Sequence, residues 1–288
     1  NLLGLSAASA GVRCHIMENK PLIFVKFLNS RHLQTILSGY VHVSTATEMR
    51  RLEKENGEAG QGDAFEAILR LSGDHAYFFD PLSNHLLGYQ ENLSLEAILM
   101  NATDFPIFCL SAIRAEDCDP YLLAEHNILC VNQIIKTQIK SDFKDADTAV
   151  VIYEPEQFHD FMKRKGYSGD YIHYLNLQPN GTQKDQYQLI DFLTRNPGTE
   201  KDKQHKILSW HFQNLNGNIE KSWYLTLHNC HRILLCKDNS FSGEREYRFI
   251  NTKKHITEPY NEYIGFGSLH ICAMRIDEFF NGVRLEIT

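Results

Sequence analysis

The sequence predicts an α+β fold, and three observations carry that expectation. Short β-rich runs recur along the 288 residues, as in "LIFVKF" (22–27), "FPIFCLSAI" (105–113) and "TAVVIYE" (148–154). Helical spacing appears between them, in "SRHLQTILSGY" and "EPEQFHDFMKRKG". The two kinds of segment do not alternate regularly, so a doubly wound parallel sheet is not expected.

The elements follow in order from Met17. The run 22–27 reads as a strand, and Leu33, Ile36 and Leu37 then fall at helical spacing with Gly39 as the stop. In "YVHVST" (40–45) Tyr40, His42 and Ser44 face one way and Val41, Val43 and Thr45 the other. A short helix is expected over 47–55, a Gly-rich loop over 56–63, and a hairpin within 72–91. Runs 105–113 and 148–154 are apolar on both faces and read as buried strands. Pro155 and Gly166 bracket a helix. Residues 170–222 are charge-dense and rich in turns, and read as an insertion within one domain spanning 17–288. Strands return at 221–236, 244–250 and 262–268.

Composition narrows the class. Hydrophobic content of 43% with 23% charged residues is ordinary for a globular chain. A net charge of −7 disfavours binding of polyanions by bulk field, though a local basic patch remains compatible. Seven cysteines with no CxxC pair point to reduced thiols and a cytoplasmic protein. No apolar run reaches the ~18 residues of a spanning helix, so no membrane association is expected. Residues 1–16 read as a leader or appended segment and are set apart from the fold.

The candidate chemistry lies in "FSGEREYRFI" (241–250). On a strand, Glu244, Glu246 and Arg248 would share a face, with the two Glu Cα atoms ~6.6 Å apart. Such a pair suits ribose hydroxyls or the oxocarbenium-like transition state of glycosidic cleavage. A solvated edge strand with an intrastrand Glu–Arg pair is the plainer account on these residues alone. Asp63 and Glu66 in "GDAFE" fit a helix start as well as acid–base chemistry. In "HNCH" (228–231), strand alternation would separate His228 and Cys230 from His231, and no second cluster completes a zinc site, so no metal is expected. Aromatics near Lys163, Arg164, Lys165, Lys201, Lys203 and Lys206 suit base stacking beside phosphates or contact with a protein.

The order of "FVKFLNSRHLQTILSGYVHVST" early and Glu-x-Glu late resembles ADP-ribosyltransferases. The pairing of "GDAFEA" with "EREYRF" also resembles a bacterial family found in phage-defence loci, and this likeness spans nearly the whole chain after the leader. The first resemblance implies a split, mostly antiparallel β-sandwich with surrounding helices, and NAD as co-substrate. It implies Glu246 as the catalytic carboxylate, Glu244 as the group that orients the acceptor, and Ser44 and Thr45 as pocket supports. Where such enzymes carry Arg or His on the first strand, this chain has Lys26, with Arg31 and His32 as substitutes just beyond. Arg248 would keep Glu246 ionised and in place. The implied acceptor is nucleic acid, as in mRNA-modifying toxins, or a protein side chain, and a toxin would have an antitoxin partner. A Mg²⁺-dependent nuclease using Asp63, Glu66 and the Glu pair, and a non-catalytic interaction or sensor module, are the alternatives.

Overall fold

Six strands form one fully antiparallel sheet in the computed structural model. It describes residues 20–56, 66–79, 83, 85–177, 183–196, 198–204, 206–213 and 219–285. In chain order the strands are β1 (Ile23–Leu28), β2 (Ile107–Ile113), β3 (Thr148–Ile152), β4 (Ser168–Tyr171), β5 (Glu246–Ile250) and β6 (Ile271–Arg275). Across the sheet they run β6-β3-β1-β2-β5-β4. The chain is therefore α+β on an antiparallel sheet, as the irregular order of its elements predicts.

Both faces of the sheet are covered, which explains why β2 and β3 carry apolar residues on both sides. On one face Phe24, Phe108, Tyr247 and Phe249 pack against Phe158 and Met162 of the helix Pro155–Arg164. Those two helix residues are four apart and so lie on one side of it. Pro155 opens the helix, and Gly166 follows its end at φ +91°. On the other face Val25, Phe27 and Val151 meet Ile135 and Ile139 of the helix Gln133–Asp142. Phe279 and Phe280 of the helix Ile276–Asn281 complete that layer.

The sheet forks in its middle, between β1 and β2. β1 pairs with β2 through Ile23, Phe24 and Val25, opposite Ile113, Ala112 and Ser111. Farther along the same edge of β2, Ser44 exchanges two backbone hydrogen bonds with Ile107, at 2.9 and 2.8 Å. Between these points the Lys26 ammonium donates to the Cys109 carbonyl at 2.9 Å. The strand Tyr40–Val43 leaves the fork to pair with Tyr260–Tyr263 in a separate two-stranded ribbon. The predicted hairpin is present as Ile68–Phe79 and Leu86–Ile98. In the predicted insertion, the helix Gln183–Thr194 buries Leu189, Phe192 and Leu193 in the core.

Three local expectations change. Glu244 is not on a strand with Glu246: it ends the 3-10 turn Asn239–Glu244, and Arg245 follows at φ +50°. That left-handed residue breaks the alternation, and the strand begins at Glu246. Nor is this strand a solvated edge, because β5 lies between β2 and β4 with all five residues buried. Finally, the run 221–236 is not one strand. It ends at Thr226 and continues into a 3-10 turn, Cys230–Leu235, so "HNCH" sits in a turn.

Candidate functional site

Glu66 of the first motif and Glu244, Glu246 and Arg248 of the second meet on the sheet face under the fork. Glu66 ends "GDAFE", and Arg248 belongs to "EREYRF", 182 positions later. Both Glu66 oxygens accept from the Arg248 guanidinium, one from Nη2 at 3.0 Å and the other from Nη1. Arg248 Nε donates to Glu246 Oε1 at 2.5 Å, Nη2 to Glu246 Oε2 at 3.3 Å, and Nη1 to the Leu234 carbonyl at 2.7 Å. These five contacts match the five N–H groups of an arginine. Glu66 is 0%, Arg248 1% and Glu246 6% exposed, so the cluster is a buried ion network rather than a surface pair.

Lys237 extends the network to the second carboxylate. Its ammonium donates to Glu244 Oε2 at 2.6 Å and to Glu246 Oε2 at 3.2 Å. The lysine is presented by the strand Cys236–Asp238, which pairs in parallel with His173–Leu175. From the latter, the Tyr174 hydroxyl accepts the Glu246 amide proton at 2.9 Å. Ser111 Oγ donates to the Glu244 carbonyl at 2.7 Å, pinning the turn to β2. Gly243 lets that turn sit against the helix Gln133–Asp142. A Cβ there would fall 2.4 Å from Asp142 Oδ2 and 2.7 Å from Gln138 Cβ. Gly243→Ala is therefore expected to cost about 1–3 kcal/mol of stability and to displace Glu244, measured by thermal unfolding of the variant.

The two carboxylates are driven apart in acidity. Burial raises Glu244, and the charge on Glu246 adds to that against the pull of Lys237, so its pKa is pushed up to about 7. Burial also opposes ionisation of Glu246, but Arg248 and Lys237 more than offset it and hold Glu246 well below the usual carboxylate range. One carboxylate is thus held ionised while its neighbour exchanges its proton near neutrality. Such a split is the pattern by which paired carboxylates take different roles.

A cavity of about 240 Å³ opens onto this pair. Lys26, His42, Ser44 and Cys109 line it together with Lys237, Glu66, Glu244, Glu246 and Arg248. Lys26 arrives from the opposite side of the sheet, since it alternates with Val25 and Phe27 and lies over the Phe108 ring at 5.6 Å. Its ammonium lies in the fork on the Cys109 carbonyl, and the residue lines the cavity. Burial, reinforced by the charge on Glu246, pushes the Cys109 thiol up, so it stands there as a neutral group.

The predicted residues are therefore only partly convergent. Lys26, Ser44, Glu66, Glu244, Glu246 and Arg248 share the cavity wall. Thr45 instead accepts the Glu48 amide at 3.2 Å and caps the helix Ala46–Asn56. Arg31 and His32 are exposed in a 3-10 turn, where Arg31 Nε donates to the His32 ring, and neither lines the cavity. Asp63 lies outside the described residues. Among the described residues no group of three or more His, Cys, Asp or Glu forms a metal site. Lys237, Cys109 and His42 were missed. His42 had a signal, because strand alternation already puts it on the side of Ser44.

Comparisons with protein-family models, with curated proteins and with solved structures find no match to this chain.

Proposed function

We propose that the protein is a cytoplasmic, NAD-dependent ADP-ribosyltransferase of the toxin or phage-defence type, with nucleic acid, such as mRNA, as acceptor. The observation that supports this reading is the split carboxylate pair on the wall of a cavity that Lys26 and Ser44 also line. The forked antiparallel sheet is compatible with the split β-sandwich that the resemblance implies.

Cleavage of the bond from ribose to nicotinamide leaves positive charge on the sugar as nicotinamide departs with the bonding electrons. Ionised Glu246 would stabilise that charge and hold the 2′-hydroxyl. Glu244 would accept the proton of the acceptor as its new bond to the ribose forms. Lys26 gives one ammonium proton to the Cys109 carbonyl, which leaves two for a donor phosphate. A protein side chain is the alternative acceptor, and an antitoxin is the partner such a toxin would have.

The acidity of Glu244 gives a test by pH. A base of pKa about 7 becomes competent as pH rises, so nicotinamide release should climb from about pH 5 to about pH 8. Glu244→Gln should remove that rising limb and lower the plateau about 10²-fold or more. The stability sign is the reverse. The contribution of Glu244 is fully present below the ordinary carboxylate range and is lost as pH rises toward about 7, because the folded state retains the proton longer. That of depressed Glu246 is present above the ordinary range and is lost as pH falls through acid. A rate profile unchanged in Glu244→Gln would contradict the role assigned to it.

A second reading has its own support. Arg248 is fully engaged within the protein, as expected if the network only locks the motifs together. In that case Glu246→Gln would lower stability while no NAD turnover is found in either form.

A further inference from the structure

The outward face of the ribbon beside the cavity carries an aromatic pair for which the buried chemistry has no use. Tyr40 and Tyr263 stand opposite each other in the register of Tyr40–Val43 and Tyr260–Tyr263. Their ring centroids are 5.1 Å apart, yet Tyr40 is 41% and Tyr263 59% exposed. Two glycines seat this pair. A Cβ on Gly39 would lie 3.0 Å from the Tyr263 ring, and one on Gly265 would lie 3.0 Å from its hydroxyl. Both glycines have positive φ, +85° and +61°, which an added side chain would strain. Tyr263 thus lies against bare backbone and still leaves most of its surface to solvent.

The same face leads into the cavity. His42 is the next residue on the Tyr40 side of the strand, with Cα atoms ~6.6 Å apart, and it lines the cavity with Ser44. Opposite His42, Asn261 places its side-chain oxygen 3.3 Å from the imidazole Nδ1. Val41 and Val43 point the other way, into the core, so the outward set is fixed by the packing of the inward set. From outside to inside the order is an aromatic pair, a polar imidazole–amide pair, then the carboxylates.

We propose that Tyr40 and Tyr263, whose ring planes are inclined by 57° to each other, offer stacking faces for a base of a single-stranded nucleic acid, with His42 and Asn261 at the edge of that base. The proposal rests on the reading above for its ligand class and selects among the acceptors. Exposed tyrosines offer a flat face to any base, whereas a protein side chain presented to the carboxylates has no need of one. The platform is open rather than enclosed, which suits a strand that slides past the cavity.

The test is binding by the full chain, without NAD, so that its failure is separate from failure of the transferase chemistry. The probes are a short fluorescent single-stranded RNA, the same RNA as a duplex, and ADP-ribose. The expected result is preference for the single strand, weakened about tenfold by Tyr40→Ala and by Tyr263→Ala. Tyr40→Phe and Tyr263→Phe, which keep the rings, should restore it. Both tyrosines are exposed, so thermal unfolding should be little changed. Equal binding of the duplex, no binding of the single strand, or alanine variants that bind it normally would overturn the proposal. Loss of ADP-ribose binding with RNA binding intact would also overturn it, by assigning the platform to the donor.

Discussion

Glu246→Gln is expected to reduce nicotinamide release by about 10³-fold while the chain still folds. The substitution keeps the shape of the side chain and one oxygen for Arg248 Nε, but removes the negative charge and sets an amide NH2 against the donors Lys237 and Arg248 Nη2, so some stability is lost with it. No other carboxylate on this wall can take its place. Glu66 is bound at both oxygens by Arg248, and Glu244 is pushed up to about 7 and so is partly protonated at neutral pH. The loss should appear in the maximal rate more than in NAD affinity, because the charge it opposes exists only as nicotinamide leaves. Steady-state rates across NAD concentrations, with circular dichroism as the control for folding, make this measurement.

The largest effect on stability is expected from breaking the contact between the two motifs. Glu66→Ala removes two of the five Arg248 contacts and leaves a guanidinium that is 1% exposed with one of its two counter-charges gone. Removing one partner of a buried ion pair costs about 3–5 kcal/mol. Replacing both, as in Glu66→Leu with Arg248→Met, removes the stranded guanidinium but leaves Glu246 with Lys237 alone, so the double should not regain the parent's stability. Denaturant unfolding of the two singles and the double gives the coupling energy. A single variant as stable as the parent would show that the two motifs are not linked by this pair.

The sequence discloses the fold class and the strands better than it discloses the site. Runs apolar on both faces became β2 and β3, because a sheet covered on both sides leaves no polar alternation. The Glu pair was recognised for the wrong geometric reason. Strand alternation would have aligned Glu244 with Glu246, whereas the left-handed Arg245 lifts Glu244 onto a turn and Lys237 brings the two carboxylates together. Lys237 gave no local signal: a lysine after "ILLC" reads as the end of an apolar run, and its role depends on a parallel pairing with residues 173–175. The contact between Glu66 and Arg248 spans 182 positions, beyond the reach of any periodicity. Thr45 caps a helix and does not line the cavity, and a helix cap and a pocket hydroxyl call for the same residue type.

Cleavage of NAD in this cavity is the central expectation. The most direct measurement follows free nicotinamide by chromatography when the full chain is incubated with NAD and single-stranded RNA. Release of nicotinamide with ADP-ribose retained on the RNA, lost together in Glu246→Gln, is the predicted result. Intact NAD after prolonged incubation with RNA and with protein acceptors, or release undiminished in Glu246→Gln, would contradict it.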